Sequence, residues 1–227
     1  IYIGHISGVG AAALTGVGLT FPIITLISAF SAFVGTGGAP LASIWMGKND
    51  KKHAEKILGT GVFMLLCFSV VLMVLFLVFQ RPLLYAFGAS DATIGYAMEY
   101  LTIYLLGTVF VEIALGLNPF IIAQGRSTTA MMSIVIGAVI NIVLDPVFIF
   151  VFHMGVKGAA IATVISQAVS AAWNVKALVD KKAVLKIVPS CIRPDLRVMG
   201  QIFSLGISPF IMRSTESLIS IVLNHQL

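Results

Sequence analysis

"NIVLDPVFIF", residues 141–150, sets Asp145 and Pro146 inside one of the most apolar stretches of the 227-residue chain. At membrane depth an ionised Asp costs about 2.5–3.5 kcal/mol even on the lenient insertion scale. A carboxylate retained against that cost points to a function, provided the surroundings are a membrane.

Composition says that they are. Hydrophobic residues make up 59% of the chain, charged residues 10%, and the mean hydropathy is +1.04, whereas a soluble domain is about 45–50% apolar and about 25% charged. A spanning helix needs about 20 mostly apolar residues. Six such runs are legible: span A over residues 11–34, B over 57–79, C over 94–122, D over 128–152, E over 158–179 and F over 200–223. The runs are continuous, unlike barrel strands, which alternate in and out over about ten residues. The fold class read from these runs is an all-α, multi-pass integral membrane protein.

Basic residues orient the bundle. Loop A–B carries Lys48, Lys51, Lys52 and Lys56, loop C–D carries Arg126, and loop E–F with its flanks carries Lys176, Lys181, Lys182, Lys186, Arg193 and Arg197. The other side holds Arg81 and Lys157, and Arg213 lies inside span F, a split of 11 against 2 with 1 in a span. By the positive-inside rule the A–B, C–D and E–F loops face the cytoplasm, so the expected location is the cytoplasmic membrane. The net charge of +5 is thus a topology signal. Nucleic acid is excluded as a partner, since no folded basic face is present.

The chain opens at Ile1 without a Met and stops at "LNHQL" as span F finishes, so a fragment of a longer membrane protein is expected. Cys67 and Cys191 imply no disulfide, and His5, His53, His153 and His225 lack ligand spacing and read as interfacial residues. No nucleophile or metal constellation suggests an enzyme.

Asp145 has company on its own helix. Asn141 lies one turn earlier, and Gly137 and Ser133 continue the stripe. Pro146 deprives a carbonyl near residue 142 of its amide donor. Carboxylate, amide and freed carbonyl are hard oxygen ligands suited to a proton or a small cation. Span C repeats Tyr100, Tyr104, Thr108 and Glu112, and span E repeats Thr163, Gln167, Ser170 and Asn174. Three polar faces predict a wet shared interior. In span F, Glu216 follows Arg213 by three residues, a spacing that allows an ion pair.

The stretch "NIVLDPVFIFVFHMGVKGAAIATVISQ", preceded in order by "GTGGAPLASIWMGKNDKKHAEK", "ASDATIGYAMEYLTIYLLG" and "LNPFIIAQGRSTTAMM", resembles the MATE multidrug and toxin extrusion transporters. The resemblance implies a partial MATE-type helix bundle, with A to F as the family's second to seventh helices. Residues 1–180 would form most of the N-lobe, 181–197 a cytoplasmic inter-lobe loop, and 198–227 the truncated first helix of the C-lobe. It further implies cation-coupled antiport (H⁺ or Na⁺), exporting amphipathic cationic drugs or toxins, with no cofactor and a monomeric full-length protein. Partners would be small organic substrates and the lipid bilayer.

The same resemblance implies that Asp145, Asn141, Thr163 and Tyr100 form the cation or proton-coupling site, with Na⁺ at Asp145 as the one metal to be expected. Glu216, Glu112, Tyr104 and Gln167 are secondary candidates, Glu112 also reading as a contact at a cytoplasmic gate. Two departures stand out. The acid of the family's first helix falls outside this chain, and Ser43-Ile44 stands where many members have Ser-Arg. The alternative is a lipid-linked precursor flippase of related fold, which predicts a basic rather than an acidic cavity.

Overall fold

In the computed structural model of the chain, residues 2–5, 10–180 and 183–226 are described, apart from the side chains of residues 5, 217, 218 and 220–226. Lys181, Lys182 and the His5 and His225 side chains, all invoked above, lie outside that description. Among the described residues there is no strand. A 3₁₀ turn at Tyr2–His5 precedes α1 (Gly10–Gly18), α2 (Phe21–Gly47), α3 (Lys51–Ala86), α4 (Ile94–Leu106), α5 (Thr108–Ala123), α6 (Ser127–Pro146), α7 (Gly155–Val179) and α8 (Leu196–Gln226).

Four helical stretches, 10–47, 51–86, 127–151 and 155–179, are long and apolar enough to cross a membrane, and α4 with α5 meets the same test only when the bent pair is taken as one stretch. Two expectations need correction. Span A does not end near residue 34, because α2 runs to Gly47; α3 then starts at Lys51, so most of the expected A–B loop is helix. Asp50 sets that start by accepting the His53 backbone N–H at 3.0 Å, while Asn49 makes the turn at φ 60°. Span C is not one straight helix: α4 and α5 meet at Gly107 with a 60° bend. Val164 of α7 presses into this notch, and a Cβ on Gly107 would lie 2.6 Å from it. The expected span F falls within α8.

Pro146 acts as expected on the helix that carries it. Beyond it the backbone continues as a π-helical turn, Val147–Val151, instead of regular α-helix. A prolyl nitrogen cannot donate, and the ladder re-registers around the gap.

Two apolar clusters hold the bundle. One gathers Ile57, Leu65, Leu117, Phe120 and Ile202, the other Ile23, Leu72, Leu101, Leu105 and Ile149, and Phe68 packs against both. The exposed apolar stripes on α3 (Val70, Val71, Val74, Val78) and α6 (Val139, Ile142, Val143) are what a bilayer would cover. Helix α2 packs most extensively on α8 and next on α5. Small residues permit this: a Cβ on Gly37 would run into the Ile202 carbonyl, and one on Gly206 into the Phe33 carbonyl.

One end of the bundle collects the basic loops. Arg126 donates to the Ala177 carbonyl at 2.8 Å, the Leu185 N–H donates to Gln124 Oε1 at 3.0 Å, and Lys56 pairs with Asp195. The stretch 183–195 therefore lies clamped across the ends of α3 and α5. Asp195 also caps α8 by accepting the N–H groups of Arg197 and Val198.

The Lys56 hydrogen bond, with help from the Val198 N–H, holds the Asp195 carboxyl well below its usual range, at about 2. Since the unfolded value is about 3.9, this clamp stabilises fully above about pH 4 and fails as pH falls through about 2. Thermal denaturation of the full-length protein across that window should show a steeper acid loss for wild type than for Asp195→Asn. Parallel curves would mean that the clamp carries no stability.

Candidate functional site

The polar stripe of α6 faces α7 because both helices present small residues at their crossing. A Cβ on Gly137 would collide with Ser170 Oγ, so the glycine sets the spacing. Ser170 Oγ donates to the Ser133 carbonyl at 2.9 Å, and Trp173 Nε1 donates to the Thr129 carbonyl at 3.0 Å. These bonds tie side chains of α7 to the α6 backbone along one seam. Asn174 extends the contact to α5 by donating to the Ala114 carbonyl at 2.7 Å.

At the outer part of the seam the structure brings Tyr100, Asn141, Asp145 and Thr163 together. Asn141 Nδ2 lies 3.4 Å from Asp145 Oδ1 and 3.4 Å from Thr163 Oγ1, so its two amide hydrogens have one acceptor each. Thr163 Oγ1 donates its only proton to the Ala159 carbonyl at 2.9 Å. The Tyr100 hydroxyl, 3.4 Å from Thr163 Oγ1, must then be the donor in that contact. Thr163 is thus saturated, with one bond donated and two accepted. Asp145, half-buried, receives one side-chain donor and keeps its other oxygen for a proton or a ligand.

Inward from this cluster a cavity of about 250 Å³ opens between α5, α6 and α7, lined in part by Asn141, Thr163, Ser133, Ser166, Gln167 and Ser170. No Lys or Arg lines it. Ser166, which sequence reasoning passed over, is buried on the cavity wall and donates to the Thr163 carbonyl at 2.8 Å. Its signal was a serine three residues after Thr163.

The secondary candidates separate. Gln167 lines the cavity. Tyr104 sits behind Tyr100, ring centroids 6.3 Å apart, and is buried. Glu112 is fully buried on α5 away from the cavity lining. Glu216 is exposed on α8, and the ion pair with Arg213 that its spacing allowed does not form. Arg213 is exposed on the same helix. No group of three or more His, Cys, Asp or Glu suited to a metal ion occurs among the described residues.

Residues 1–147 match the MatE family. "Multidrug export protein MepA" of Staphylococcus haemolyticus is 29% identical over 211 residues, which is 93% of this chain and 47% of that protein. Among solved structures, the "Inward-facing conformation of a multidrug resistance MATE family transporter of the MOP superfamily" is 27% identical, with a TM-score of 0.90 over 95% of this chain and 49% of that one. A MOP superfamily transporter from Pyrococcus furiosus, described by a reverse polarity of its binding pocket that suggests a different function, is 28% identical with a TM-score of 0.86, covering 94% and 47%. The chain spans about half the length of the curated relatives it matches.

The Thr163 hydroxyl joins three helices, so its loss should be felt as more than one missing bond. In the full-length protein Thr163→Val leaves the Tyr100 hydroxyl and one Asn141 hydrogen without their acceptor, at a cost of about 1 kcal/mol. Its melting temperature should fall below wild type while Thr163→Ser stays close to it. Equal values for the two variants would remove Thr163 as the junction.

Proposed function

This chain belongs to the MatE transporter family, and from that premise we propose that the full-length protein is a monomeric antiporter of the cytoplasmic membrane. It exports amphipathic organic cations in exchange for inward-moving H⁺ or Na⁺, and Asp145 is the carboxylate that couples the two movements. The family is one of transporters, and no enzymatic step is needed.

The observation that carries this reading is Asp145 on the Asn141–Thr163–Tyr100 network, two members of which, Asn141 and Thr163, line a cavity between α5, α6 and α7. A carboxyl group in a bilayer avoids burying bare charge in two ways. It binds a proton, or it binds a cation. Both amide hydrogens of Asn141 are directed at oxygens and Thr163 has no lone pair to spare, so the present arrangement favours protonation over a sodium ion, which needs several free oxygens. A flippase for lipid-linked anionic precursors is disfavoured by the lining, which includes no basic side chain.

Exchange follows from occupancy. With Asp145 neutral, the α6–α7 seam packs without a charge to solvate; with Asp145 ionised, the cavity attracts an organic cation. The π-helical turn after Pro146 is the place where α6 can adjust between the two, because its ladder is already interrupted. Asp145→Asn keeps size and hydrogen bonding but cannot titrate. In vesicles carrying the full-length protein under an imposed ion gradient, concentrative drug efflux should be lost in this variant while insertion and melting temperature persist. Normal uphill efflux would eliminate Asp145 as the coupling residue.

A further inference from the structure

Helix α5 carries a second carboxyl group that the antiport reading does not use. Glu112 is 0% exposed, and neither of its oxygens has a hydrogen-bond partner. Ala114 and Leu115 of the same helix line the cavity, but Glu112 does not, so it belongs to a different face. Ser31 of α2 is the hydroxyl that faces the carboxyl group, and Thr108 lies one turn earlier on α5. Both residues are 0% exposed, and neither hydroxyl makes a hydrogen bond of 3.5 Å or less. A carboxyl group and the Ser31 hydroxyl thus sit together, loosely paired, in the interface of α2 with α5.

The seal is tight because the two backbones touch. A Cβ on Gly35 would lie 2.8 Å from the Gly116 carbonyl oxygen and 2.9 Å from Pro119. Glu112 takes part in none of the ion pairs among the described residues. Of the neighbouring elements, α4 presents Tyr104, the titratable group within electrostatic reach. The others present uncharged groups: Ser31 from α2, Leu65 from α3 against Gly116, and Asn174 from α7 against Ala114, while α6 meets α5 through the Ala130 carbonyl. Among the described residues no cation pairs with Glu112.

An ionised carboxylate here would combine burial, bilayer depth and the absence of a counter-charge, which is the costliest state available to the group. A metal cation fares no better, since it would need about six oxygens and room for them. A proton needs neither. The neutral acid can donate to the facing Ser31 hydroxyl or accept from it, whereas the ionised form could only accept.

We propose that Glu112 is a proton-binding site separate from Asp145, loaded while α5 lies against α2 and emptied only when that interface loosens. The proton is taken from water and returned to water, and no other bond changes. Because only the neutral form is compatible with the packed interface, proton binding and α2–α5 packing are linked: raising the pH shifts the protein toward the loosened arrangement. The inference goes beyond the antiport reading and does not depend on it.

The test uses the full-length protein in nanodiscs. Infrared spectra at neutral pH should show the carbonyl stretch of a protonated carboxyl group that is lost in Glu112→Gln and kept in Asp145→Asn. Protection factors along residues 108–123, which are exchange rates corrected for the intrinsic base-catalysed rate, should fall from mildly acidic to alkaline pH in wild type, and Glu112→Gln should keep them constant, because Gln copies the neutral acid. If no such band disappears, or if the protection factors of variant and wild type fall alike, the proposal is overturned. Should Glu112→Gln fail to fold, the wild-type protection factors decide alone, and values independent of pH along α5 would overturn it.

Discussion

Polar groups inside a bilayer must find their partners within the protein or in a cavity it encloses, because the hydrocarbon offers none. The fold is arranged around that constraint at the crossing of α4, α6 and α7. One hydroxyl, Thr163 Oγ1, accepts from Tyr100 and Asn141 and donates to its own helix, and through Asn141 it reaches Asp145. Three helices are thereby registered by one atom. The 60° bend at Gly107 belongs to the same arrangement, since it turns α4, with Tyr100 and Tyr104, against α7 while α5 follows a different axis.

Close approach is the second requirement, and it comes from what the sequence omits. Gly137 opposite Ser170 brings α6 and α7 near enough for side chains to bond to the neighbouring backbone, and the polar seam follows. Gly35, Gly37 and Gly206 do the same for α2 against α5 and α8. Lipid supplies no hydrophobic drive between helices, so packing and hydrogen bonds must hold these contacts. Larger residues would separate the helices and leave Ser170, Asn174 and Thr163 facing hydrocarbon.

Much of this was legible in the sequence. Continuous apolar runs disclosed the helices, the basic split disclosed the common end, and four-residue spacing disclosed the Ser133–Gly137–Asn141–Asp145 stripe. The misreadings have physical causes. The bend at Gly107 could not be read locally, because the residue that packs against the glycine, Val164, is distant in sequence. The A–B loop looked long because lysines read as loop, whereas Asp50 caps a helix that begins among them. Arg213 and Glu216 matched a pairing distance, but spacing fixes only the helix face, and exposed side chains on an open face need not meet. Ser166 was hidden because a serine within a helical run is more often plain than functional.

Asp145 and Glu112 show why residue type alone could not rank the acids. Both sit in apolar runs, and both would be costly as bare charges. Asp145 is half-buried with a donor from Asn141, which itself lines the cavity between α5, α6 and α7. Glu112 is sealed behind the contact of Gly35 with Gly116, and its environment changes only if two helices part. Access to water, set by helix packing rather than by the helix that carries the acid, therefore decides whether a buried carboxyl group answers to a ligand or to a conformation. Tyr104 is within electrostatic reach of both Tyr100 and Glu112, so the two environments differ in access although one residue neighbours both.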